Sequence, residues 1–64
     1  MNIKISVVKN RLYGTSDKPS NWEIFTIDGK NIKTFYQSKE INLILRNGIY
    51  IVKVNNRSFK VVIS

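Results

Sequence analysis

The chain contains neither cysteine nor histidine, and it has only one proline, three glycines and four acidic residues among its 64 residues. Without cysteine there is no disulfide and no thiolate ligand, and without histidine a zinc site would rest on carboxylates alone. General acid–base catalysis uses histidine or carboxylates placed together in a cleft. The acidic residues instead fall in four separate segments, at Asp17, Glu23, Asp28 and Glu40. The sequence therefore predicts no enzyme activity, no catalytic residue, no metal site and no cofactor.

Long apolar runs are also missing. A secretory signal needs an apolar core of about 7–15 residues, and the stretch between Lys4 and Lys9 is only Ile5-Ser6-Val7-Val8. No run approaches the roughly 20 apolar residues of a membrane-spanning helix, so we expect no membrane span. The sequence leaves the cellular location of the protein open. We expect the cell surface or secretion if the chain is part of an exported cargo, and otherwise a cytoplasmic or virion-associated protein.

Positive charge is in excess, with eleven Lys and Arg residues and a formal net charge of +7. One interpretation is a nucleic-acid or anionic-glycan partner, and the other is an ordinary solvated basic surface. The basic residues are spread almost evenly from Lys4 to Lys60 and form no block. Tyr13, Trp22, Tyr36 and Tyr50 could stack on bases, but large aromatics in small β domains are usually core residues. Nucleic acid is therefore the less favoured partner.

Short apolar–polar alternations separated by turn residues predict one all-β domain spanning residues 1–64. No window has helical periodicity, and turn signals recur about every ten residues, as in a small sandwich or barrel. A loop is expected at residues 14–20 and a turn at 37–39. We predict seven short strands: residues 3–7, 11–13, 22–27, 31–36 and 40–45, followed by one strand on each side of Asn55-Asn56.

The final hairpin has a predictable register. A two-residue Asn55-Asn56 turn places Val52 opposite Phe59 and Tyr50 opposite Val61, which forms a core face. The opposite face is half apolar, and it supplies the candidate partner surface: Ile49, Ile51, Lys53, Lys60 and Val62.

A second hairpin is expected at Asp28-Gly29, a strong signal for a type I′ turn. That turn would place Phe25 opposite Ile32 and Trp22 opposite Phe35. Both faces of this hairpin then carry large apolar groups. Either a bulge, which residues 25–27 would allow, shifts the alternation, or apolar surface remains for a partner.

From about Val8 to its end, the chain resembles the C-terminal sorting domain of the type IX secretion system of Bacteroidetes. Asn10-Arg11-Leu12-Tyr13 is similar to the end of the family's first motif. The strand at residues 22–27 leads into Asp28-Gly29-Lys30, similar to the family's Asn/Asp-Gly turn with a following basic residue. The family's Leu-x-x-Gly-x-Tyr-x-Val-x-Val pattern and its late basic residue are matched by Leu45, Gly48, Tyr50, Val52, Val54 and Lys60.

The resemblance implies a small seven-stranded immunoglobulin-like antiparallel sandwich that acts as a passive sorting module. It also implies a protein partner, which we expect to bind through a sheet edge or the half-apolar face. The family's Pro-Asn-Pro-like element is replaced here by Ser6-Val7-Val8. Two alternatives therefore stay open: a stand-alone structural or assembly subunit, such as a bacteriophage capsid-decorating or fibre-associated protein, and a basic nucleic-acid or glycan binder. A homo-oligomer is also possible.

Overall fold

The computed structural model describes residues 2–64, and within that range all regular structure is β-strand. Every strand pairing is antiparallel, which confirms the prediction of an all-β antiparallel fold. None of these residues lies in a helix that could cross a membrane. The five strands are β1 (Ile3–Val8), β2 (Arg11–Thr26), β3 (Asn31–Ile44), β4 (Gly48–Val54) and β5 (Arg57–Ile63).

The long strand β2 organises the sheet. Its first half lies between β1 and the second half of β3, while its second half lies between the first half of β3 and β4. Strand β5 follows β4, so the order is β1-β2-β4-β5, with β3 along the other side of β2. Because β2 changes neighbours along its length, the sheet curls around a core on its inner face.

Two predicted breaks are instead bends within continuous strands. Residues 14–20 are not a loop but part of β2, and residues 37–39 do not end a strand but belong to β3. Thr15 pairs with Glu40 and Ser20 pairs with Ser38, so four residues of β2 lie opposite one residue of β3. On β3, Gln37 takes a positive φ of 50° and donates its backbone N–H to Asn21 Oδ1 over 3.1 Å. These irregularities bend both strands while preserving their pairing.

The core is centred on Trp22, which is fully buried. Its indole N–H donates to the Ser38 carbonyl over 2.9 Å, so the polar atom of the ring is satisfied. Leu43 packs against this core but is only partly buried. The other buried apolar side chains are Leu12, Ile24, Ile41, Leu45, Tyr50, Val52, Val54, Val61 and Ile63.

The Asp28-Gly29 turn is not of type I′, because Gly29 (φ 94°) has a positive φ and Asp28 does not. Gly29 N–H donates to the Thr26 carbonyl over 3.0 Å, and Thr26 N–H donates to the Lys30 carbonyl over 2.8 Å, which makes a three-residue loop. Phe25 consequently pairs with Asn31 rather than with Ile32.

A bulge at Ile32 then offsets the extra loop residue. The pairing passes from Phe25↔Asn31 to Ile24↔Lys33, which leaves Ile32 without a partner in β2. The predicted pairing of Trp22 with Phe35 is therefore confirmed. The sequence had suggested a bulge on the opposite strand, at residues 25–27.

Candidate functional site

The five residues of the candidate partner surface lie on the outer face of the β4–β5 hairpin. The register pairs Ile51 with Lys60 and Ile49 with Val62, as expected from the Asn55-Asn56 turn. The core side of the hairpin carries the buried side chains Tyr50, Val52, Val54, Val61 and Ile63. Strand alternation therefore places the five predicted surface residues together on the opposite face.

Strand β2 adds two side chains to this surface that the sequence analysis did not assign. Phe25 pairs with Ile51, and Glu23 pairs with Lys53. Trp22 and Ile24 are buried on the core side, so alternation turns Glu23 and Phe25 outward. We define the recognition face as Ile49, Ile51, Lys53, Lys60 and Val62 together with Glu23 and Phe25.

The recognition face has an apolar part at one end and a charged part toward the other. Ile49 is 40% exposed and Val62 is 58% exposed, while Phe25 and Ile51 are partly buried beside each other. Lys53 and Lys60 are exposed, and Glu23 lies directly across from Lys53. The surface is suited to burying apolar groups of a partner, with the lysines favouring acidic groups at the margin.

The family-like motif residues do not form one site. Five of them are buried in the core: Leu12, Leu45, Tyr50, Val52 and Val54. Of the remaining motif residues, Asp28 and Gly29 form the β2–β3 turn, Gly48 begins β4, and Lys60 lies on the recognition face.

Tyr50 has the most specific role among them. Its hydroxyl donates to the Arg46 carbonyl over 2.8 Å, which ties the start of β4 to the preceding connection. The buried ring thus keeps its polar atom satisfied, and the connection between β3 and β4 is held against the core.

Asn10, in the turn between β1 and β2, also binds the connection between β3 and β4. Its side-chain amide donates to the Leu45 carbonyl over 2.8 Å and to Asn47 Oδ1 over 2.7 Å, while its own carbonyl accepts from Leu45 N–H over 2.8 Å. Sequence reasoning placed Asn10 in a motif but gave it no role, because these partners lie more than 30 positions away.

The four aromatic side chains considered for base stacking separate into two groups. Trp22 and Tyr50 are buried, which confirms their interpretation as core residues, while Tyr13 and Tyr36 are 36% and 74% exposed. Tyr13 divides two shallow depressions of about 320 and 270 Å³, and Tyr36 lines neither of them. The two exposed tyrosines therefore do not share a stacking platform there.

The carboxylates remain dispersed. Within residues 2–64, no group of three or more acidic, histidine or cysteine side chains could hold a metal ion. The Thr26 hydroxyl donates to the Asp28 carboxylate and lowers the pKa of Asp28. The backbone N–H of Asn2 donates to Asp17 over 3.2 Å and lowers the pKa of Asp17. In both cases the largest cause is a single hydrogen bond to the carboxylate, from a residue two positions away at Asp28 and from a residue fifteen positions away at Asp17.

Comparison with known proteins adds no relative. A scan against models of protein families finds no family that matches the chain, and a search of curated proteins finds no significant match.

Proposed function

We propose that the chain is a non-enzymatic recognition module of the sorting type, similar to the C-terminal domain of type IX secretion cargo, and that its partner is a protein. The observation that carries the proposal is the recognition face. Its apolar part is exposed on a hairpin whose other face is buried. A small domain keeps a large apolar group in solvent at a cost, and contiguous exposed apolar groups mark interaction surfaces.

The chemistry of the face favours a protein over a polyanion. The apolar side chains of the face have no hydrogen-bond donor or positive charge for a phosphate, whereas an apolar patch on a protein can be buried against them. These side chains are Phe25, Ile49, Ile51 and Val62. Glu23 opposite Lys53 also weakens the positive potential there. The expected partner surface is an apolar patch with carboxylates placed to meet Lys53 and Lys60.

We also propose that the fold is a seven-stranded immunoglobulin-like sandwich in which β2 and β3 each contribute two strands. The proposal is supported by the bends at residues 16–21 of β2 and at Gln37 of β3. Three segments then lie on one side, β1 with the first half of β2 and the second half of β3, and four on the other. The Tyr50 hydroxyl bond to the carbonyl four residues upstream resembles the tyrosine corner of such sandwiches.

Within this proposal the motif residues and the recognition face have separate tasks. The buried motif residues maintain the module, and the outward residues meet the partner. Lys60 is the motif residue that also lies on the recognition face. A sorting signal of this kind is read only when folded, because the face exists only once β2, β4 and β5 are paired.

The second candidate is a stand-alone structural or assembly subunit. The specific observation that favours it is the outer edge of β3, which no other strand covers within residues 2–64. Assembly subunits commonly join through such edges.

A reporter export assay tests the sorting proposal. Residues 2–64 are fused to the C-terminus of a periplasmic reporter and expressed in a Bacteroidetes strain with an intact type IX system and in its secretion-deficient counterpart. We expect the reporter at the cell surface or in the medium of the first strain and in the periplasm of the second. Periplasmic retention of folded fusion in both strains would contradict the proposal and favour the structural candidate.

A further inference from the structure

The outer edge of β3 differs along its length. In the first part, Ile32 bulges out, Lys33 lies on the core-side face opposite Ile24, and Gln37 has a positive φ. Together with Lys39, these are the devices by which proteins protect an edge strand from pairing. Residues 40–44 have only one charged side chain, Glu40 at their start. Their register with residues 11–15 is regular and they include no proline or lysine.

The hydrogen bonds of Leu45 show which backbone groups this segment exposes. Leu45 N–H donates to the Asn10 carbonyl, so the backbone groups of Leu45 point toward β2. Because backbone groups alternate in direction along a strand, Leu43 and Ile41 also bond toward β2. The N–H and C=O groups of Glu40, Asn42 and Ile44 therefore point to the open edge, where no described strand meets them.

Apolar surface accompanies these unpaired groups. Ile44 is 67% exposed, and Leu43 is only partly buried although it lies on the core side. A strand added at this edge would cover Leu43 and continue the core by one strand.

We propose that residues 40–44 pair antiparallel with the same segment of a second copy of the chain, about a two-fold axis at Asn42. The segment is complementary to itself in this register. Asn42 meets Asn42, Glu40 meets Ile44, and on the core side Ile41 meets Leu43, so no like charges are directly opposite. All backbone groups that point outward then find partners. This inference is independent of the sorting proposal, because it uses a different surface.

The net charge of +7 per copy sets the sign of the salt dependence. Two copies repel each other, so screening by added salt should strengthen a direct dimer. A pair of copies bridged by a polyanion would instead weaken as salt rises.

Asn42→Pro and Asn42→Ala form a matched pair for the test. Both remove the side chain that accepts from Arg11 over 2.7 Å, but only proline removes the outward N–H, which the monomer fold does not use. Sedimentation equilibrium should show a concentration-dependent dimer for the parent and for Asn42→Ala. For Asn42→Pro the association constant should fall at least about tenfold, because two intermolecular bonds are lost. Equal association of both variants, or a monomeric parent at every concentration and salt level, would overturn the proposal.

Amide exchange of the parent provides a readout that does not depend on the variants folding. The amides of Glu40, Asn42 and Ile44 should exchange quickly in dilute protein and become protected as concentration rises. The amides of Ile41 and Leu43 should be protected throughout, because they bond to β2. Concentration-independent exchange at Asn42 and Ile44 would overturn the proposal even if a dimer forms, since that dimer would use another surface.

Discussion

Replacing Gly14 with alanine should destabilise the protein, against the usual sign of this substitution. Gly14 lies in β2 and has no positive φ, so its backbone alone would accept alanine and gain about 0.4–1 kcal/mol from the less flexible unfolded chain. However, a Cβ at this position would lie 2.5 and 2.9 Å from two atoms of the Trp22 ring and 2.9 Å from Ile41 Cγ1. All three distances are shorter than real Cβ contacts, so the ring must move.

The magnitude follows from how firmly Trp22 is held. The ring is fully buried and its N–H is bonded to the Ser38 carbonyl. Overpacking in such a site costs about 1–3 kcal/mol. A mid-range cost of about 2 kcal/mol less the backbone gain of about 0.4–1 kcal/mol leaves a net loss of about 1–1.6 kcal/mol. For a domain of this size that is a large share of a total stability of about 5 kcal/mol.

Urea denaturation of a double-mutant cycle measures the effect. Gly14→Ala, Trp22→Phe and the double variant are compared, because phenylalanine lacks the ring atoms that the new Cβ would approach. We expect Gly14→Ala to cost clearly less in the Trp22→Phe background. A stability equal to or above that of the parent for Gly14→Ala would refute the packing of Trp22 over Gly14 and favour the loop expected from the sequence.

Three further predictions concern the turn, pH and polyanions. Gly29→Ala should cost about 1 kcal/mol in thermal or urea unfolding, since Gly29 has a φ of 94°, and an unchanged midpoint would contradict the turn assignment. The hydrogen bond from the Thr26 hydroxyl lowers the pKa of Asp28 in the folded state. The ionised carboxylate therefore stabilises the fold above the pKa of Asp28 in the unfolded chain, and this stabilisation is lost as the pH falls through its pKa in the folded protein. When melts are followed below about pH 4, Asp28→Asn should lose less stability than the parent. Labelled DNA should bind only at about 10⁻⁴–10⁻⁶ M at physiological salt and weaken further as salt rises; nanomolar binding that falls in Lys53→Glu/Lys60→Glu would put a nucleic-acid function first.

The final hairpin was predictable because its information is local. Asn55 tolerates the positive φ of 55° that the two-residue turn needs, and once that turn is placed, every pairing from Val54↔Arg57 to Ile49↔Val62 follows. The buried alternation of β4 then separates core from outer face. The recognition face was predictable on the hairpin for the same reason, whereas Phe25 required the pairing of β2 with β4.

The bends of β2 and β3 were not predictable in the same way. Gly14 indicates a loop by composition, but it is a strand residue whose missing side chain makes room for Trp22. Ser16, Asp17 and Pro19 also suggest a break, yet β2 remains paired with β1 up to Ser16 while it departs from β3. Tertiary pairing overrides local propensity at these positions.

The turn at Asp28-Gly29 shows how two local errors can cancel. The dipeptide favours a type I′ turn, but the Thr26 hydroxyl bonds to the Asp28 carboxylate and only Gly29 takes a positive φ. The loop gains a residue, and the bulge at Ile32 restores the register before Trp22. The pairing of Trp22 with Phe35 was therefore predicted correctly from an incorrect turn.

The most direct test of the central claim is the export of a reporter fused to variants of the recognition face. Ile49→Thr/Val62→Thr removes apolar groups that are 40% and 58% exposed, so each substitution should change stability by no more than about 0.5 kcal/mol. The matched control is Val8→Thr, because Val8 is 58% exposed like Val62 and lies on β1, which contributes no residue to this face. In the strain with an intact type IX system, we predict that the double variant accumulates in the periplasm while the control is exported like the parent. Equal export of the folded double variant and the control would contradict recognition through this face.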